Sequence, residues 1–177
     1  MGFRALPSIF AGNMKEILIR KALPGEEKEI HEAHMRSIRE VCVRDHGVEE
    51  IKGWGNRPLE NRWVDAIKTE LVWVIEFNKT IQGLGYLRVL GKDEEKIGYL
   101  HALYLTPEVL GKGVGLKLAK VIITEAKEQQ LGVLKLDSTI TAYEFYKSLG
   151  FKDAGPKKKV EIGGYPVTCF PMKYKII

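Results

Sequence analysis

The chain has 177 residues, enough for one globular domain with a buried core, and its composition (45% hydrophobic, 29% charged) is typical of a folded rather than a disordered protein. Its longest apolar runs, such as Leu71–Ile75, are far too short to cross a bilayer, which excludes a helical membrane protein. The formal net charge of +5 fits a nucleic acid or a small polyanionic ligand equally well.

The N-terminal segment, residues 1–14, is predicted to be a flexible arm in front of a single domain over residues 15–177. The segment contains an arginine but no long apolar stretch, so a secretory signal is not expected. Cys42 and Cys169 lie far apart in sequence, without the spacing of a disulfide framework or a metal site. We therefore expect two buried thiols, no metal and a cytoplasmic location.

The first half of the domain begins with a strand and two helices. Glu16–Leu23 is predicted to be a strand that ends at a Pro-Gly turn. Glu26–Val43 has helical spacing of its apolar residues, and acidic residues occupy its first turn, where the helix dipole favours them. After a Gly-rich loop region, Leu59–Thr69 is predicted to be another helix.

Three predicted strands follow in close succession. They cover Leu71–Phe77, Thr80–Leu90 and Ile97–Leu105, with short polar turns between them. Such spacing predicts an antiparallel meander. Strict alternation would place Tyr99, His101, Leu103 and Leu105 on one face of the third strand.

The second half predicts a crossover. Leu116–Gln130 is predicted to be a long helix, Val133–Asp137 a strand and Thr141–Leu149 a short helix. A strand from Phe151 onward then pairs with Tyr165–Lys175 as a closing hairpin. A strand, helix, strand step requires a helix packed on one face of the sheet.

The glycine-rich turn before the long helix is the most informative segment. Gly111, Gly113 and Gly115 alternate at the start of that helix, where backbone N–H groups have no partner within the helix and the dipole is positive. Glycines let a ligand approach this backbone closely, which makes the turn a candidate phosphate site. The spacing matches neither the P-loop nor G-x-G-x-x-G. On spacing alone, a plain glycine-rich helix start remains an alternative.

Two motifs resemble the GNAT superfamily of N-acetyltransferases. Leu110–Gly115 is similar to its acyl-CoA motif Gln/Arg-x-x-Gly-x-Gly/Ala, with Leu110 in place of the Gln or Arg. Ala142–Phe151 is similar to its Ala-x-x-Phe-Tyr-x-x-x-Gly-Phe signature, and Thr139 stands where an Asn is frequent. Residues 37–54 are also similar to the bacterial YafP-like branch.

The resemblance implies an α/β fold with a mixed, mostly antiparallel sheet of six to seven strands and helices on both faces. It implies an N-acetyltransferase that moves the acetyl group of acetyl-CoA to a primary amine, on a small molecule or a peptide, by direct attack in a ternary complex. Homodimers are common in the superfamily, and no membrane or nucleic acid is expected. Leu110 and Thr139 keep open an alternative, a non-catalytic acyl-CoA-binding sensor. A basic nucleic-acid-binding domain is a second alternative, although no base-stacking surface is recognisable.

The resemblance also implies a set of residues that contact acetyl-CoA. The strand before the turn, the turn and the short helix supply Leu103, Tyr104, Leu105, Leu110, Gly111, Lys112, Gly113, Val114, Gly115, Leu116, Thr139, Ala142 and Tyr146. Lys112 and Lys117 could instead be solvated lysines.

Three side chains are predicted to take part in the chemistry. Tyr146 matches the tyrosine that protonates the leaving thiolate in the family, although a packed helix tyrosine is the alternative. His101 or Tyr99 could assist deprotonation of the amine, because members often place a base on this strand and histidine has a suitable pKa. Neither cysteine has the surroundings of an activated nucleophile.

The amine acceptor is expected among the first helix, the Trp54 loop and the middle strands. Arg36, Trp54 and Trp73 are the predicted acceptor-binding residues, with Asn56 and Arg57 nearby. Packing in the core is the alternative for both tryptophans. The remaining histidines, His31, His34 and His46, are expected to be surface or helix-face residues.

Overall fold

The computed structural model describes residues 16–92 and 96–176. The arm predicted over residues 1–14 lies outside this part of the chain, and the domain limits stay a prediction. The strands are β1 (Ile17–Lys21), β2 (Val72–Phe77), β3 (Thr80–Leu90), β4 (Ile97–Leu105), β5 (Val133–Thr139), β6 (Lys152–Asp153), β7 (Lys158–Ile162) and β8 (Tyr165–Lys175). The α-helices are α1 (Glu27–Glu40), α2 (Val48–Trp54), α3 (Arg62–Ile67), α4 (Val114–Glu128) and α5 (Tyr143–Ser148), and a 3₁₀ turn covers Cys42–Arg44.

The strands form one mixed sheet in the order β1-β2-β3-β4-β5-β8-β6, with β7 also paired to β8. All pairs are antiparallel except β4 with β5. The predicted fold class is confirmed. The described residues form eight strands rather than six or seven, because the strand predicted from Phe151 onward is two short strands. Gly155 and Pro156 separate them, and a proline cannot donate a ladder hydrogen bond.

Helices cover both faces of the sheet. The apolar stripe of α4, with Leu118 and Ile122 fully buried, packs on the face that also carries Trp73 and Ile75. The opposite face packs against α1 and α3. Fully burying a side chain such as Leu118 stabilises the fold by about 1.5–3 kcal/mol. Among the residues in the two described ranges, none of the helices combines the length and apolar character needed to cross a membrane.

A β-bulge in β4 changes which way its side chains point. Tyr86 pairs with Ala102 and Leu87 pairs with Leu100, so His101 is an extra residue on β4. The prediction that strict alternation holds along this strand is therefore wrong. Leu103 and Leu105 pack on the α4 side, whereas Tyr99 and His101 line a cavity on the opposite side.

The parallel strands β4 and β5 separate in the middle of the sheet. Their pairing consists of Gly98 with Leu134 and Tyr99 with Lys135. Beyond these pairs, β5 continues its ladder with β8 as far as Thr139. The sheet therefore opens between the carboxyl-terminal halves of β4 and β5, next to the glycine-rich turn.

Candidate active site

The glycine-rich turn has a backbone that only glycine adopts readily. Gly111 and Gly113 have φ angles of 75° and 72°, in the left-handed region. A Cβ atom added at either position would meet no heavy atom within 4 Å. The turn therefore presents bare backbone to open space at the start of α4.

Six consecutive amides in this turn are unpaired. The N–H groups of Val109 and Leu110 donate to the Thr106 carbonyl, at 3.2 and 3.1 Å, and that of Lys117 donates to the Gly113 carbonyl at 3.2 Å. Within the described parts of the chain, the N–H groups from Gly111 to Leu116 have no acceptor. Because they lie at the positive end of a 15-residue helix, they form a site for an anion such as a diphosphate.

A cavity of about 440 Å³ extends from this turn along the end of β4 and is also lined by the end of α1 and the start of α5. Most of the predicted coenzyme contacts line it: Leu103, Tyr104, Leu105, Leu110, Gly111, Gly113, Gly115, Leu116, Thr139 and Ala142. The side chains of two predicted contacts point elsewhere. Val114 is buried in the core, and the Lys112 Nζ atom lies 4.8 Å from the centre of the Phe77 ring. Lys117 is exposed. Only the backbone of Lys112 and Val114 is therefore directed to this site.

Tyr146 lies where β4 and β5 separate. It lines a small cavity of about 30 Å³ between the two strands, together with Leu103 and Ser138. Its ring packs edge-on against Phe145 and Phe151, and only 5% of it is exposed. Burial raises the pKa of the Tyr146 hydroxyl, so the group is a neutral phenol that can donate a proton.

A second large cavity, of about 490 Å³, lies on the α1 and α3 side of β4. Its walls come from α1, the end of α2, the start of α3, β4, β5 and the β7–β8 hairpin. The hairpin turn fits closely on α2, since a Cβ on Gly163 would lie 2.7 Å from the Gly53 carbonyl oxygen. Tyr104 and Thr139 line this cavity and also the two described above. The three spaces therefore meet at these two residues.

Two candidate catalytic side chains face the second cavity. The Tyr99 hydroxyl donates a hydrogen bond of 2.7 Å to Asp137, whose other oxygen lies 2.9 Å from the Lys158 Nζ atom. Burial, followed by this hydrogen bond, raises the pKa of Tyr99, which remains a phenol. Burial against the protein and then the charge of Arg62 lower the pKa of His101 to about 4. The imidazole, although solvent reaches it, is therefore neutral at pH 7.

The predicted acceptor-binding residues are spread over the structure. Trp54 is 1% exposed and forms part of the wall of the second cavity. Trp73 is not among the residues that line either large cavity, because the alternation of β2 places it with Ile75 on the α4 face. Arg36 also lies outside both linings and forms ion pairs with Glu40 and Glu108.

Several lining residues were not recognised from the sequence. His34, expected on a helix face, is 4% exposed and lines the second cavity, and His46 is also buried. Arg62 and Asp137 line the same cavity. The alternation of β5, with Leu134 and Leu136 in the core, could have placed Asp137 on the opposite face. Arg62 carries no comparable sequence signal.

Metal and thiol chemistry receive no support from this arrangement. In the described stretches, no group of three or more His, Cys, Asp or Glu side chains is placed to hold a metal ion. Cys42 and Cys169 are buried and free. Burial raises the pKa of these thiols to about 12 and about 11, so neither is a thiolate at neutral pH.

Comparisons with known proteins agree with this architecture. Residues 42–176 match the family model described as an acetyltransferase (GNAT) domain. The chain is 31% identical, over 123 residues, to the uncharacterized N-acetyltransferase YjgM of Escherichia coli (strain K12). The matched region covers 66% of this chain and 73% of that protein. The similarity to the YafP-like branch stays a prediction.

Two solved structures share the fold. The PaiA N-acetyltransferase from Thermoplasma acidophilum, in complex with coenzyme A, has a TM-score of 0.70 and 20% identity, over 90% of this chain and 99% of that chain. YncA from Salmonella typhimurium, with its cofactor acetyl-CoA, has a TM-score of 0.68 and 18% identity, over 92% of this chain and 95% of that chain. The match to the family model over most of the length, and the identity to YjgM, show that this chain belongs to the GNAT family of acetyltransferases.

Proposed function

We propose that this chain transfers the acetyl group of acetyl-CoA to a primary amine by direct attack, with both substrates bound at once. The observation that carries the proposal is the run of six unpaired amides, which opens into a cavity leading to the gap between β4 and β5. The two related structures with bound coenzyme A or acetyl-CoA, described above, support the same ligand.

The residues of the first cavity fit the parts of the coenzyme. The amides from Gly111 to Leu116 would bind the diphosphate, and the mostly apolar wall that includes Leu103 and Ala142 would take the pantetheine arm. Leu110 replaces a polar side chain of the family motif but leaves these amides unchanged. Bound acetyl-CoA would supply the thioester, whose acetyl group is transferred and whose sulfur departs.

Tyr146 is proposed to donate a proton to the departing sulfur. Its hydroxyl is a neutral phenol beside the gap, and no side-chain or backbone acceptor within the described residues competes for its hydrogen. The carbonyl of the acetyl group would be polarised by backbone N–H groups of β4, whose pairing with β5 stops at Tyr99.

His101 is proposed to accept the proton that the amine loses. Its depressed pKa keeps the imidazole neutral at pH 7, which leaves a lone pair to accept the proton although it makes the group a weaker base, and its position in the bulge directs it to the second cavity. For Tyr99 we propose a positioning role in place of the base, because its phenol donates to Asp137 and its raised pKa keeps it protonated at neutral pH. Tyr99 instead holds Asp137 in place on the cavity wall.

The second cavity is proposed to bind the amine. Its volume of about 490 Å³ lies in the range of small-molecule sites, which favours a small-molecule amine over a peptide. The homodimer and the cytoplasmic location stay predictions.

The proposal is tested by incubating the chain with acetyl-CoA and a panel of primary amines and by detecting free thiol. We expect thiol release that depends on the amine and an acetylated amine in equal amount. Binding of acetyl-CoA, measured by titration, without release on any amine would favour the acyl-CoA sensor. A salt-dependent mobility shift with nucleic acid, without stabilisation by acetyl-CoA, would favour the nucleic-acid-binding alternative.

A further inference from the structure

The second cavity contains two arginines that have no carboxylate partner. The Arg57 Nε atom donates to the Trp54 carbonyl oxygen at 3.0 Å, and Arg62 donates to the Nδ1 atom of His34 at 2.8 Å. Across residues 16–92 and 96–176, neither guanidinium has a carboxylate oxygen within 4.0 Å. Outside the cavity, Arg20 and Arg39 have carboxylates at 2.6 and 2.9 Å, and Arg44 and Arg88, which form no ion pair with the described residues, are exposed to solvent.

These two positive charges are partly removed from water and lie close enough to repel each other. Burial lowers the pKa of Arg57, and burial together with the charge of Arg57 lowers the pKa of Arg62 to about 10. Both guanidinium groups nevertheless stay charged at pH 7. A partly buried charge without a counter-ion is costly, so the pair favours an anion in the cavity.

The carboxylates on the cavity wall form no ion pair with these two arginines in the described residues, although the charge of Glu60 acts on both from a distance. Asp137 is already bound by Tyr99 and Lys158. Glu60 and Glu161 are exposed, and neither forms an ion pair with Arg57 or Arg62 in the described part of the structure.

His34 holds Arg62 at the wall of this cavity. Arginine can only donate, so the Nδ1 atom of His34 must accept the bond from Arg62. Because burial holds the pKa of His34 well below its usual value, the ring is neutral and its one hydrogen is on Nε2. This Nε2–H is buried and has no acceptor among the described residues. Solvent in the cavity does not reach this atom, so His34 serves to position the Arg62 guanidinium.

We propose that the amine acceptor carries a carboxylate, which Arg57 and Arg62 bind, so that the substrates are free amino acids or closely related small amino-carboxylates. The inference rests on the proposed function and names the class of substrate for the same cavity. The planar guanidinium groups suit a carboxylate because each can donate two parallel hydrogen bonds. The amine of the same molecule is then directed toward Tyr104 and Thr139, where the three cavities meet.

The first experiment needs no variant. Matched sets of acceptors are compared by kcat/KM: an α-amino acid, its carboxamide, the corresponding amine without the carboxyl group, and a dipeptide with that amino acid first. Since a hydrogen bond between charged groups contributes about 1.5–3 kcal/mol, we expect the kcat/KM of the amino acid to exceed that of the carboxamide about 10- to 150-fold. Equal or higher kcat/KM for the decarboxylated amine or the dipeptide would overturn the inference.

The second experiment assigns the preference to the arginines. Arg62→Met and Arg57→Met should each reduce the kcat/KM ratio of acid to carboxamide toward one, mainly through KM. Arg39→Met is the control, because Arg39 pairs with Glu32 and does not line the cavity. Melting temperatures of both cavity variants are expected to fall somewhat, because each variant loses one hydrogen bond, to the Trp54 carbonyl or to His34, so the ratios are compared at a temperature at which all variants are folded. An unchanged ratio in both cavity variants would refute the assignment.

The two proposals fail in different ways. Thiol release with amines that lack a carboxylate, at rates equal to those with amino acids, contradicts only the carboxylate inference. Absence of release with every amine in the panel contradicts the proposed function itself.

Discussion

Replacing Leu116 by proline removes one of the six unpaired amides at the start of α4. The N–H of Leu116 has no acceptor in the described structure, and its side chain is 42% exposed. The substitution therefore breaks no hydrogen bond of the free protein and removes little buried surface. Proline is also tolerated in the first turn of a helix, where its missing N–H would have had no partner. Leu116→Ala is the matched control, because it shortens the same side chain and keeps the amide.

The expected effect is on coenzyme binding. A hydrogen bond from an amide to a charged phosphate contributes about 1.5–3 kcal/mol, so the Kd for coenzyme A should rise about 10- to 150-fold from Leu116→Ala to Leu116→Pro. Titration calorimetry measures this, with pantetheine as a ligand that lacks the diphosphate and should bind both variants equally. Equal Kd values for coenzyme A in the two variants, while both remain folded, would refute the role of the amides.

Three further predictions concern single side chains. Tyr146→Phe removes only the hydroxyl, and we expect kcat to fall about 100-fold with little change in the Kd for coenzyme A; an unchanged kcat would remove Tyr146 from the mechanism. His101→Ala should lower kcat by a similar factor throughout pH 6 to 9, because the pKa of His101 is lowered to about 4; a loss confined to one end of this range would contradict its role. His34→Gln should reduce the loss of stability that acidification causes. Thermal melting at a series of pH values measures this loss. The lowered pKa of His34 means that the unfolded chain binds more protons, so the wild type loses stability as the pH falls below about 6.5. If the melting temperature of the variant fell with pH as steeply as that of the wild type, this prediction would be contradicted.

Local signals in the sequence predicted much of the fold. The alternating glycines at Gly111 and Gly113 and the periodic apolar residues of α4 act over short distances, so they could be read without a structure. Gly155 and Pro156 were also readable as a break between β6 and β7, although the prediction treated this segment as one strand.

Other features depend on contacts between distant segments. The bulge at His101 arises from the pairing of β3 with β4, and no residue type in the sequence of β4 predicts it. The pairing of His34 with Arg62 joins α1 to α3 across 28 residues. Trp73 could be assigned to a face only once the side of the sheet covered by α4 was known. The glycine-rich turn at the start of α4 was therefore predictable, whereas the residues that line the second cavity were not.

The most direct measurement is a crystal structure of this chain with bound coenzyme A. The account predicts that the diphosphate oxygens accept hydrogen bonds from backbone amides between Gly111 and Leu116, with the pantetheine arm directed into the gap between β4 and β5. A diphosphate bound elsewhere, or amides in this turn paired with other groups of the protein, would contradict it.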